Sequence, residues 1–481
     1  MKKTIKIFAA IVFAALIFHS CRFLEVERVG KSDIPTYFSE PSALQPALNG
    51  SYSLLYDIYD KLLLFYPEVT GDLMNLSARA SSWESKYNFS STYMEETSAV
   101  GYIWKYSYNI IQNVNHIIFY SPSLKDGRNN AMIDDIMAQA YFIRALVHFN
   151  LCQVYAQTYT FTPDASHLGV PVMTEIPNVT DKLKRSPVKE VYSQVIADVE
   201  KALASFSSSY VFKEYLASPA ACKAFLARIY LYMGNYEKAA SYSAELMGSF
   251  TLTPRDKYRN MFVNVGTRGG ESILRLSGYA QGSASQALYD FKEPSATPSA
   301  KLKELFKDED DVRLTLFKHK SYNAELKKME DFDNICMKFY CTDSTVNVKD
   351  KHYDPFVFRV SEMYLINAEA SCRLGKLQAA ADAVKALKAR ALGVDVASVV
   401  LDYTDASGLD KLIMEERMKE LCFEGHRLFD VARRHEDIVR DNGTTSEIRT
   451  LKYPDYRFIL PIPYLEIESN KEIQQNPSSN D

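Results

Sequence analysis

Apolar residues recur at spacings of three and four through much of this chain, and each such stripe predicts a helix. Residues 131–157 carry one, with Ile133, Ile136, Met137, Ala140, Val147, Leu151 and Val154. Residues 187–206 carry another, with Val188, Val191, Val195, Val199 and Leu203. There Ser186-Pro187 predicts an N-cap followed by proline at the first helical position. Two further stretches predict helical pairs. One opens at Pro219 and breaks at Gly234-Asn235; the other runs from about Val360 to Leu392 and breaks at Gly375.

The two pairs read alike. The first has Ala224, Leu226, Ala227, Tyr230, Gly234, Tyr236, Ala239 and Ala240. The second has Tyr364, Ala368, Ala370, Leu374, Gly375, Leu377, Ala379 and Ala380. Small residues where two helices cross, with a glycine turn between, form the tetratricopeptide pattern. Such a unit cannot bury its face alone, so several are expected to stack into a curved array. The predicted fold class is therefore mostly α, a superhelix of tetratricopeptide-like pairs.

Two segments break the helical texture. Residues 65–100 are polar, serine-rich and aromatic. Residues 251–350 hold Gly266, Gly269, Gly270, Gly278, Gly282, Pro294 and Pro298, scattered aromatics, and a strand-like run from Ser272 to Leu276. Both predict long, loop-rich excursions, which in a compact protein are usually functional or disordered. Their aromatic content argues for order. The expected organisation is a signal peptide over 1–20, a helical region over 21–250, a loop-rich ligand-binding insertion over 251–350 and a C-terminal region over 351–481.

The first residues read as an address. Lys2, Lys3 and Lys6 precede an uncharged run from Ile7 to Phe18, too short to span a bilayer but suited to a signal-peptide core. His19, Ser20 and Cys21 follow, and a small residue before a cysteine there predicts cleavage and lipidation at Cys21. An uncleaved anchor or an ordinary secretory signal is the alternative.

Composition narrows the function. Apolar residues make up 47% of the chain, enough for a substantial core. The net charge is −4 and no long basic run occurs, which argues against a nucleic-acid partner. The cysteines beyond Cys21 show no CxxC spacing, so zinc and redox motifs have no support. Cys336 and Cys341 could bridge a hairpin; buried free thiols are the alternative reading. Tyrosine is plentiful, at 32 against 2 tryptophans, and pairs a flat apolar face with a polar tip.

Motifs for catalysis fail on spacing. Gly30-Lys31-Ser32 lacks the earlier glycine of a phosphate loop, since position 25 is Glu25. No GxSxG elbow occurs, and His435-Glu436 lacks the second histidine of a zincin. Glu416, Glu420 and Glu424 lie four apart, as do His426 and Asp430. They predict helix-packing ion pairs with Arg417, Lys419 and Arg427 as partners. The Asp308–Asp311 run lacks EF-hand spacing and predicts a turn or a solvated face. No metal or cofactor is expected.

Several stretches, in order, make the sequence similar to the SusD/RagB family. They include Cys21-Arg22-Phe23-Leu24-Glu25-Val26, Ala138 to Ala145, Gly169 to Met173, Ala221 to Ala240 and Phe358 to Ile366. Glu415-Glu416-Arg417, Glu420-Leu421, Phe423 to Arg427 and Asp430 follow, and then Leu460-Pro461-Ile462-Pro463, Glu466-Ile467 and Gln475-Asn476-Pro477. The resemblance implies an outer-membrane, surface-facing, lipid-anchored protein with no catalytic role. It implies capture of nutrients, usually glycans, for a TonB-dependent transporter of the SusC type. Peptide capture by the same architecture is the alternative; a lipoprotein glycosidase and a tetratricopeptide scaffold are others.

Trp104, beside Tyr108, Ile111 and Ile118, is expected in the core. Trp83 lies in loop texture near Asn75, Arg79 and Tyr87, and the resemblance implies an aromatic platform there. Trp83 is thus either a stacking surface or a buried ring, with Arg79 and Asn75 as hydrogen-bond donors to sugar hydroxyls. A second aromatic arm would come from the middle insertion, with Tyr279, Tyr289 and Phe291 as candidates. Flat rings suit the C–H face of a pyranose, and Asn and Arg suit its hydroxyl rim. Two or three platforms and a few hydrogen bonds at about 1 kcal/mol each give a dissociation constant of about 0.1 mM.

Overall fold

The computed structural model describes residues 33–178, 180–263, 271–278, 288–340 and 353–478. The candidate signal peptide, Cys21, Tyr279 and Cys341 lie outside the described residues. The chain divides into two compact units, the first ending at Ala43. Its described part holds one helical turn, Ile34–Tyr37, and a 3-10 turn, Pro41–Ala43. The Asp33 carboxylate caps the first by accepting the Thr36 N–H at 3.2 Å.

The second unit begins at Leu44 and includes both sides of residues 250 and 350. Its long helices are α1 (Leu44–Ile58), α2 (Ala99–Tyr120), α3 (Asn130–Tyr155), α4 (Val188–Ser205), α5 (Pro219–Tyr232), α6 (Tyr236–Ser249) and α7 (Arg255–Val263). After the insertion come α8 (Val360–Arg373), α9 (Leu377–Leu392), α10 (Ala406–Leu421) and α11 (Arg427–Arg433). Neighbours in sequence pack together from α2 to α4, α6 lies on both α5 and α8, and α8 also meets α9 and α10.

The helices form where the pattern predicts and stop for identifiable reasons. Ser218 accepts the Ala221 N–H at 3.1 Å and Pro219 takes the first helical position of α5. Gly234 and Gly375 turn the two pairs with φ of +75° and +73°, a left-handed conformation that glycine adopts without steric penalty. One N-terminus differs from expectation. Pro187 is extended and occupies the cap position of α4, because Ser186 bonds through its N–H to the Val170 carbonyl. The helix then begins at Val188.

The 251–350 segment is more regular than its texture suggests. It contains α7 and a hairpin of β4 (Lys318–Asn323) and β5 (Lys328–Asp333). The strand-like run forms β2 (Ser272–Arg275), which pairs antiparallel with β6 (Phe356–Arg359) just before α8. Two smaller ladders join distant loops: β1 (Met74–Leu76) with β3 (Ala296–Pro298), and β7 (Ile438–Val439) with β8 (Thr450–Leu451).

The glutamate row is buried, with Glu416 and Glu420 on α10 and Glu424 in the turn after it, and its principal partners are not those expected. Lys419 does pair with Glu416, at 2.8 Å, but Arg417 turns to Asp430 and Arg427 to Asp72. Arg313, Arg359, Arg390 and Lys338 come instead from remote segments to meet Glu416, Glu420 and Glu424. Periodicity along one helix finds neighbours on that helix; it does not find cations delivered across the core. The acidic run ends as a turn in which Asp311 accepts the Arg313 N–H at 3.0 Å and pairs with its guanidinium. Trp104 is buried as expected, donating Nε1–H to Glu466 at 3.1 Å. Cys152, Cys222, Cys336, Cys372 and Cys422 are buried free thiols.

Candidate functional site

The two segments expected to carry the ligand meet in space. Antiparallel pairing sets Asn75 opposite Thr297, and the Ser77 N–H continues the contact to the Ser295 carbonyl at 2.8 Å. Immediately beyond, Arg79 forms an ion pair with Glu293, both side chains more than half exposed. Residues far apart in sequence thus form one polar, solvent-facing patch.

Asn75 and Ser77 share one side of an extended strand, since side chains alternate with period two. Asn75 reaches toward Asp441 through Nδ2 at 3.5 Å, while its Oδ1 and the Ser77 Oγ are shielded and have no partner among the described residues. Unmet polar capacity of this kind is uncommon in a folded protein. Asp441 is itself anchored by the Lys301 and Gly443 N–H groups. Burial opposes its charge, but these bonds hold the carboxyl below its ordinary range.

The candidate aromatic platforms among the described residues are turned inward, which for Trp83 is the buried-ring alternative. Trp83 is 8% exposed and Tyr289 fully buried; both rings approach Phe65, at 5.6 and 5.9 Å. The Tyr289 ring stacks on Phe339 at 4.7 Å, so that face is covered. Phe291 is 5% exposed, held edge-on by His319, Phe332 and Tyr340. Tyr87 is buried, bonded through its hydroxyl to Thr444 at 2.6 Å. Above its ring lies Arg440, whose guanidinium also ties the carbonyls of Val69, Gly71 and Tyr87. Aromatic residues in a loop bury their large apolar area whenever a neighbouring loop can cover it, and here the two excursions cover each other. The rings therefore support the patch from beneath.

Asp441, Gly443 and Thr444 also escaped the sequence reading. The available signal was the polar turn Asp441-Asn442-Gly443-Thr444, but nothing local says that it lands beside Asn75. Gly443 leaves room for that amide: a Cβ there would sit 2.8 Å from Asn75 Nδ2 and displace it.

Comparison with known proteins extends the geometry. A profile of the SusD family matches residues 307–478, and one described as "Starch-binding associating with outer membrane" matches residues 22–231. The chain is 25% identical to SusD-like protein P2 of Formosa agariphila over 95% of its own length and 96% of that protein's. Among solved structures, a Bacteroides vulgatus protein described as a candidate sugar binding protein aligns with TM-score 0.78 at 25% identity, covering 91% of this chain and 98% of that one. A SusD superfamily protein of Bacteroides thetaiotaomicron aligns with TM-score 0.78 at 23% identity, covering 91% and 99%.

Proposed function

This chain belongs to the SusD/RagB family, and from that premise we propose that it is a surface lipoprotein that captures glycans for an outer-membrane transporter of the SusC type. Lipid on Cys21 would tether it to the outer membrane. The family description and the sugar-binding description of the Bacteroides vulgatus relative support this reading. Among the described residues no helix is long and apolar enough to cross a membrane, which is compatible with a lipid tether.

The observation that carries the assignment to a site is the exposed Arg79–Glu293 pair where the two excursions meet. An exposed guanidinium and an exposed carboxylate supply a donor and an acceptor for the hydroxyl rim of a sugar. No reaction is assigned to the patch; its role is binding and release.

Calorimetric titration against a panel of neutral oligosaccharides and peptides tests this. We expect millimolar to micromolar binding of an oligosaccharide. Arg79→Ala should weaken it about tenfold, the loss of one charge-assisted hydrogen bond, with the melting temperature unchanged. Full affinity in that variant would move the site elsewhere. Binding of peptides alone would favour peptide capture, a reading that the burial of both tryptophans keeps in play.

A further inference from the structure

A second recess lies beside the patch, on the far side of Phe291. It is a cavity of about 540 Å³ lined by Arg259, Thr315, Lys318, His319, Lys320, Asp331 and Asp333. Helix α7 delivers Arg259; the β4–β5 hairpin delivers most of the rest. Phe291 connects the two places: its ring meets His319 at 4.7 Å, and Glu293, two residues on, pairs with Arg79.

Arg259 is the feature that needs an explanation. Its guanidinium donates to the Lys318 carbonyl at 3.1 Å and lies 3.5 Å from His319 Nδ1. Among the described residues no carboxylate pairs with it. The carboxylates of the recess are placed otherwise: Asp331 is taken by Lys320 at 3.1 Å, and Asp333 stands opposite Lys318 in the ladder. Half-buried guanidiniums normally find an anionic partner, because a planar fork of donors fits a carboxylate or sulfate oxygen pair. With Nδ1 of His319 turned to a guanidinium, Nε2 is the nitrogen left to donate, and among the described residues it has no partner. Burial and the adjacent Arg259 lower the pKa of His319, which favours the neutral ring.

We infer that this recess is a subsite for an anionic substituent, a carboxylate or a sulfate ester, on the captured glycan. The inference rests on the glycan reading and narrows it to acidic glycans. Arg259 would hold the anion bidentately, His319 would add one N–H, and Lys318 would supply nearby positive charge. With three cations against two aspartates the recess is only slightly positive. Selectivity would therefore come from the guanidinium's geometry rather than from a broad field.

Two measurements test it. The first uses protein labelled on the histidine rings, titrated separately with glucuronate, glucose 6-sulfate and glucose. We expect one ring signal, the one missing in His319→Gln, to move with an anion and not with glucose. The sulfate and carboxylate arms tell the two substituents apart. A signal unmoved by both anions overturns the subsite, whatever glycans bind. The second compares an acidic oligosaccharide with its neutral counterpart. The acidic one should bind about tenfold more tightly, and Arg259→Gln should remove that advantage while leaving the neutral affinity intact. Equal affinities in the unmodified protein overturn the inference. If Arg259→Gln unfolds, His319→Gln serves in its place and should shrink the advantage. An anion-dependent shift without binding of any oligosaccharide would overturn the glycan reading and leave the anion site standing.

Discussion

Glu420 meets three guanidiniums, those of Arg359 and Arg390 at 2.7 Å and of Arg313 at 3.3 Å, and it is fully buried. Burial works against its charge, yet Arg390, Arg359 and Arg313 hold the carboxyl well below the usual range. Removing that charge takes a shared carboxylate from three buried cations and leaves Arg390 with Glu271 alone. Glu420→Gln is expected to cost about 3–5 kcal/mol, read as a lower denaturant midpoint. Trp83 makes a different prediction. Buried and edge-on to Phe65, it should behave as core, so Trp83→Ala is expected to cost about 3–5 kcal/mol of stability. A variant that kept full stability but lost glycan affinity would restore Trp83 as a contact surface.

At the scale of elements, the fold is fastened by short pieces that join distant parts of the chain. The helical turn Tyr66–Val69 supplies Glu68, whose carboxylate accepts N–H groups from Phe423, Gly425, His426 and Arg427 at 2.9–3.3 Å. These donors include the first, otherwise unsatisfied, N–H groups at the start of α11. Gly425 makes the arrangement possible. It has φ of +83°, and a Cβ would lie 2.9 Å from the Leu63 carbonyl oxygen. Gly425→Ala should therefore destabilise by at least about 1–2 kcal/mol from the left-handed backbone alone. Urea denaturation checks this, with Gly50→Ala, where a Cβ meets nothing, as the control.

For the whole molecule, buried ionisable groups make stability depend on pH. Glu369, held by Arg433 and Arg434, overcomes its burial and has its pKa lowered to about 2. The unfolded value is about 4.3, so its stabilisation is complete above that pH and is lost as pH falls toward 2. His148 is buried and neutral, bonded to the Arg144 carbonyl and accepting the Met173 N–H, with its pKa pushed down to about 4. Its contribution is complete above about 6.5 and falls between there and 4. Glu68 runs the other way: burial pushes it up to about 7, so its contribution is complete below the unfolded value of about 4.3 and is lost as pH rises through 7. The carboxylates in the ion network outnumber it. Thermal melting followed by circular dichroism should thus show a plateau near neutrality and a steep decline below pH 4.5. Glu369→Gln should lower the plateau and make the decline shallower.

The helical frame was legible because its signals are local. Spacings of three and four, a serine before proline and glycine between two helices act within one or two turns, and α3, α5, α6, α8 and α9 form where these predict. The ordered resemblance carried the family for a related reason, since short stretches keep their identity wherever the fold takes them. What only the tertiary structure decided is which surfaces face water and which charges meet. Trp83, Tyr87, Tyr289 and Phe291 have the composition of ligand platforms, but segments distant in sequence close over them, Phe65 on Tyr289 and Arg440 on Tyr87 among them. Arg313, Arg359 and Arg390 carry no sign in sequence of the glutamates they neutralise. Periodicity reports the side of an element that is apolar; it does not report what another element brings to that side, and the candidate glycan patch is made of such meetings.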